Sequence, residues 1–71
     1  MKINYYPETD SLYIELRAAS SHETVEITEG VNADFDVDGN VVGFDIDSAS
    51  KKLDLSSLET TALPSNSYKA A

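Results

Sequence analysis

Up to Ile46 the chain alternates apolar and polar side chains with a period of two, the repeat of a β-strand rather than a helix. A chain with this pattern has to build a sheet with one apolar face. Strand register is constrained as well, because a one-residue slip would turn every apolar side chain to water. Ile3 and Tyr5 alternate with Lys2, Asn4 and Tyr6. After the turn residues Pro7-Glu8-Thr9-Asp10, Leu12, Ile14 and Leu16 alternate with Tyr13, Glu15 and Arg17. Placing Tyr6 across from Ser11 sets Tyr5 opposite Leu12 and Ile3 opposite Ile14. All four then share a face, so the two runs read as a hairpin.

Ala18 to His22 are small or polar and read as a loop. Val25 and Ile27 alternate with Thr24, Glu26 and Thr28 in a short third strand, which Gly30 punctuates. Val31, Ala33, Phe35 and Val37 alternate with Asn32, Asp34, Asp36 and Asp38 in a fourth, and Val42, Phe44 and Ile46 return on the same face. Asp38-Gly39 is a strong signal for a primed two-residue turn. It would set Phe35 against Val42, Ala33 against Phe44 and Val31 against Ile46. A loop at Gly39-Asn40 would slide the pairing by two and keep the same faces together, so the register stays open.

The period changes at Asp47. Asp47 or Ser48 can cap a helix with a side-chain oxygen, with Ala49, Ser50 and Leu53 on one side and Lys51 and Lys52 near its end. A second short element is expected after Ser56 or Ser57, with Leu58 and Ala62 facing inward. The expected fold is one α+β domain over residues 1–63. It is mainly antiparallel, with about five strands as two hairpins and an intervening strand, then a short C-terminal helix; residues 64–71 form a flexible tail. Five strands span about 20 Å and a helix with its side chains is about 10 Å wide. One short helix therefore leaves roughly half the apolar face open, which points to a homodimer with C2 symmetry.

The 71 residues carry thirteen Asp and Glu against five Lys and Arg, a formal charge of −8, with no cysteine. Counterion-release binding needs clustered cations, so nucleic acid and anionic lipid are not expected partners. No membrane span is expected, and Pro7 and Glu8 interrupt the opening before a secretory core develops, so the cytoplasm is the default compartment. With a single His and no Cys a zinc ligand set is missing. No cofactor is expected.

Residues Asp34 to Asp45 place Asp34, Asp36, Asp38, Gly39 and Asp45 at positions one, three, five, six and twelve, the spacing of a calcium loop. Such a loop joins two helices, whereas this segment alternates as strands on both sides, so the calcium-binding hairpin at 34–45 is the alternative reading. His22 beside Ser20, Ser21 and Glu23 lacks the convergence a catalytic triad needs, and no enzyme is expected. Tyr6 and Tyr13 are diagonal neighbours on the outer face with Lys2 and Arg17. This is either an interface composition or a plain cross-strand aromatic pair, with Tyr68 in the tail as a further cover. Between Arg17 and Lys51 there is no Lys or Arg, yet Glu23, Glu26, Glu29, Asp34, Asp36, Asp38, Asp45 and Asp47 all fall there.

The opening Lys2-Ile3-Asn4-Tyr5-Tyr6-Pro7-Glu8-Thr9-Asp10-Ser11-Leu12-Tyr13-Ile14 resembles the opening of a bacterial family of small proteins of unknown function, the one numbered 2283. Gly30-Val31, Asp34, Asp36, Gly39, Val41-Val42-Gly43-Phe44-Asp45-Ile46 and Ala49-Ser50-Lys51 extend the resemblance to about residue 53. It implies a compact antiparallel sheet ending in a short helix, carries no catalytic residues, and suggests an antitoxin-like role for members encoded beside small toxins. The long flexible arm or basic DNA-binding element of many antitoxins is lacking here, so the autoregulatory half of that role is not carried over. The expected function is a non-catalytic interaction module, an acidic face with Tyr6, Tyr13, Arg17, Asp34 and Asp36 binding a basic protein. A purely self-associating structural protein is the further alternative.

Overall fold

The structure is a computed structural model and describes residues 1–64. Strands β1 (Lys2–Tyr6), β2 (Ser11–Glu15), β3 (Glu23–Thr28), β4 (Val31–Phe35) and β5 (Val41–Ile46) are followed by helix α1 (Ala49–Lys52). The strands form one antiparallel sheet in the order β1-β2-β5-β4-β3. This is the small α+β fold expected from the alternation.

The first hairpin has the expected register, Tyr6 opposite Ser11, Tyr5 opposite Leu12 and Ile3 opposite Ile14. Strand β3 is no separate intervening strand, because it pairs with β4 across a tight turn at Glu29-Gly30, where Gly30 takes a φ of 77°. β3, β4 and β5 therefore run as a meander, and β5 docks against β2.

The β4–β5 pairing sets Ala33 against Phe44 and Val31 against Ile46, then shifts so that Phe35 faces Val41 instead of Val42. A primed turn would need positive φ at Asp38, and only Gly39, at 84°, has it. Gly39 N donates to Asp36 O at 3.1 Å and Asp36 N to Asn40 O at 2.9 Å. The connection is thus a three-residue loop, Val37 to Gly39, with glycine at the left-handed position. Val37, expected inside, rides that loop and is exposed.

The register brings Ile3, Ile14, Phe44, Ala33 and Val25 into one row on the apolar face. Ala33 and Val42, on central strands, are 1% and 2% exposed, and Leu12 and Ala49 are also buried. The β3 edge stays open, with Val25 on this face 40% exposed and Ile27, where the β3 register shifts between Glu26 and Thr28, 58% exposed.

Helix α1 is a single turn. Ser48 at its start has a φ of 50° and makes no side-chain capping bond. The cap comes from the β1–β2 turn instead: Ala49 N donates to Asp10 O at 2.8 Å, and Ser50 N and Ser50 Oγ donate to the Asp10 carboxylate at 3.1 and 2.7 Å. Tyr5 OH donates to the same carboxylate at 2.8 Å. Asp10 so ties α1 to the first hairpin.

No second helical element follows among the described residues. Leu53 is extended, Asp54 turns the chain by accepting Ser56 N at 3.0 Å, and Leu58 is 77% exposed rather than inward. Side-chain capture of nearby amides by Asp competes with helix formation in this way. The segment 53–58 lies along Ile3, Tyr5, Leu12 and Ile14, bounding an open groove of about 800 Å³ over the β1–β2 half of the sheet. Tyr68 and the tail expected beyond Pro64 lie outside the described residues.

Candidate functional site

The outer face follows from the same parity. Asn4, Tyr13, Asp45, Asn32 and Glu26 form one cross-strand row, and Lys2, Glu15, Gly43, Asp34 and Thr24 the next. The central feature is a bridge over β5. Gly43 is buried, and a Cβ built there would collide with the Tyr13 hydroxyl, lie 2.6 Å from Tyr13 Cζ and 3.1 Å from Ile14 O. Glycine is what lets the ring lie flat over the strand. Tyr13 OH reaches across to donate to Asp34 Oδ2 at 2.8 Å, while Thr24 Oγ1 donates to Asp34 Oδ1 at 2.6 Å. One carboxylate therefore ties β2, β4 and β3 together on the solvent side. The hydrogen bond to Asp34, with burial and the surrounding acids, pushes the Tyr13 phenol up to about 12.

Asp36 is also engaged internally. Its Oδ1 accepts Asp38 N at 3.0 Å and Asn40 N at 2.9 Å. The Asn40 amide is the main cause of its lowered pKa, and Arg17, exposed past the end of β2, adds a weaker pull. Asp34 and Asp36 are thus acceptors within the fold. Tyr6 is exposed on edge strand β1, and Tyr13 is committed to the bridge. The two tyrosines keep their diagonal positions without acting as an equivalent pair.

Asp45 differs from Asp34 and Asp36 in its surroundings. It is half-buried, accepts no hydrogen bond among the described residues, and sits between Tyr13 and Asn32. Burial, then the charges of Asp47 and Asp34, raise its pKa. The field here is negative and concentrated.

Among the described residues no group of three or more His, Cys, Asp or Glu is placed to hold a metal ion. Asp34 lies on the sheet, Asp36 folds onto its own loop amides, Asp38 sits at the loop and Asp45 crosses from Asn32. The four aspartates with calcium-loop spacing are not brought together. His22 is exposed in the β2–β3 connection, its amide donating to Phe35 O at 2.7 Å. No helix among the described residues is long and apolar enough to cross a membrane.

The Tyr13–Asp34 bridge was not anticipated from the sequence. The available signal was Gly43, a glycine inside a strand, which often marks a close approach. Residues 2–50 match the model of a family described as protein of unknown function (DUF2283). No curated protein and no solved structure matches the chain.

Proposed function

We propose that this chain, which belongs to the family of proteins of unknown function DUF2283, is a non-catalytic interaction module whose acidic outer face receives a basic protein. The observation that carries the reading is Asp45. Its carboxylate stays half-buried and unpaired among other acids on a sheet face, with its pKa raised by burial and by Asp47 and Asp34. An unpaired carboxylate in that setting gains most from an incoming cation, and Arg with its planar fork is the better match. Glu26 extends the same row at the edge. An antitoxin-like role, in which the face covers the working surface of a basic protein, is the specific form the family resemblance supports.

The test must leave Asp34 and Asp36 alone, because both hold the fold. Tagged wild-type protein and the Asp45→Asn/Glu26→Lys variant are compared by capture from lysate of the source cells at low and high salt. The expected result is a basic protein retained by the wild type at low salt, and lost both at high salt and in the variant, while the melting curves of the two agree. Screening within about 10 Å at 0.1 M salt is the basis of the salt arm. Retention unchanged by salt and by the variant would overturn the proposal.

A further inference from the structure

The apolar face of the sheet is unevenly covered. On the β1–β2 side Leu53, Leu55 and Leu58 stand with Ile3, Leu12 and Ile14 around the open groove, and all three leucines are exposed. On the opposite edge Val25 and Ile27 are bare, two strands from a half-buried Phe44. One half therefore carries an apolar groove and the other a bare apolar edge.

The area agrees. A folded chain of 7.7 kDa exposes about 4,300 Å², whereas this one exposes 5632 Å². Allowing residues 65–71 the largest area seven residues can expose, about 1,000 Å², still leaves roughly 600 Å² in excess of a compact chain of the remaining length. A standard interface takes about 800 Å² from each partner. The excess is of that order.

From this we infer that the apolar face is the interface with a second copy of the chain, sheet face to sheet face. A two-fold axis parallel to the strands seats the bare edge of each copy in the groove of the other. The pairing is self-complementary, as an isologous contact requires: residue i touches j and j touches i. It also places the two acidic outer faces on opposite sides of the dimer, so the like charges of two −8 chains point away from each other.

Sedimentation velocity of the full chain checks the inference, with three single variants. Wild type is expected at twice 7.7 kDa in micromolar solution, the dimer persisting or tightening in high salt. Ile27→Glu and Leu58→Glu, changing edge and groove separately at exposed positions, are each expected to give the single-chain mass with an unchanged circular dichroism spectrum. Glu26→Arg, on the outer face of the same edge strand, should leave the dimer intact. A monomeric wild type overturns the inference. So does a dimer untouched by both apolar variants, or one broken by Glu26→Arg, which would mean pairing along the β3 edge. Because the acidic-face proposal is lost at high salt and this association is not, the two fail independently.

Discussion

Replacing Gly43 with Ala tests the bridge most directly. The new methyl would occupy the space of the Tyr13 ring, with Cζ only 2.6 Å away and the Ile14 carbonyl oxygen at 3.1 Å. The backbone carbonyl cannot yield, so the ring must lift, and the Tyr13–Asp34 hydrogen bond at 2.8 Å goes with it. A hydrogen bond to a charged group contributes about 1.5–3 kcal/mol. Against this, losing a glycine from a strand interior gains about 0.5–1 kcal/mol. The net expected cost is about 1–2 kcal/mol. For a domain of this size that is a fall in Tm of roughly 5–15 °C. The assay is thermal and urea unfolding of four proteins: wild type, Gly43→Ala, Tyr13→Ala and the double variant. Removing the ring removes the larger obstruction and leaves only the Ile14 carbonyl at 3.1 Å, so Gly43→Ala should cost clearly less in the Tyr13→Ala background. The coupling between the two sites should then exceed about 1 kcal/mol. An equal cost of Gly43→Ala in both backgrounds would refute the bridge.

The same bond makes stability depend on alkaline pH. The Tyr13 phenol rises from 10.0 to about 12, so its contribution is complete below pH 10 and is lost as pH climbs through the folded value. Two units correspond to about 2.7 kcal/mol in a dry site, and water at this open face reduces that to about 1 kcal/mol. Urea midpoints from pH 9 to 12 should fall in wild type and flatten in Tyr13→Phe. At the acid end, hydrogen bonds from Ser50 and then Tyr5 lower the Asp10 pKa. The contribution of Asp10 is therefore present above its unfolded value of 3.8 and lost as pH falls through the folded one. Asp10→Asn, which tolerates the φ of 53°, should speed amide exchange in residues 49–58 more than in β4 and β5. Gly39→Ala should cost about 1 kcal/mol through backbone strain alone, because nothing lies within 4 Å of the added methyl. Gly39→Asn should recover part of that in the same melts.

What could be read in advance was whatever the alternation alone decides. Tyr5, Leu12, Ile3 and Ile14 share a face when Tyr6 stands opposite Ser11, and that is the register of the first hairpin. The Asp38-Gly39 dipeptide fits both a primed turn and a three-residue loop, and the Asp36 side chain, by taking the Asp38 and Asn40 amides, stabilises the second. The α1 cap was hidden for a different reason. Its donor and acceptor, Ser50 and Asp10, are forty residues apart, and local cues at Asp47 and Ser48 carry no information about a distant turn. At Leu58 and Ala62 helical spacing misled, because nothing in that segment packs against a floor. On the acidic face the charge run was legible, but its division of labour was not. Asp34 is held by a tyrosine that crosses the glycine of the strand between them and Asp36 by the amides of its own loop, whereas Asp45 has no partner among the described residues.

The strand order also bears on how the chain folds. β1–β2 and β3–β4–β5 can each close through short turns, and the β2–β5 strand pairing joins them. The link between them has to run from β2 to the far edge of the sheet, three strand spacings or about 14 Å away. Folding then reduces to the meeting of two locally ordered pieces on a short tether, a low-entropy encounter for a sheet protein. The transition state should be concentrated at that seam. φ-values near one half or above are expected for truncations of Ile14 and Phe44, which face each other across it, and values near zero for Val25 at the outer edge.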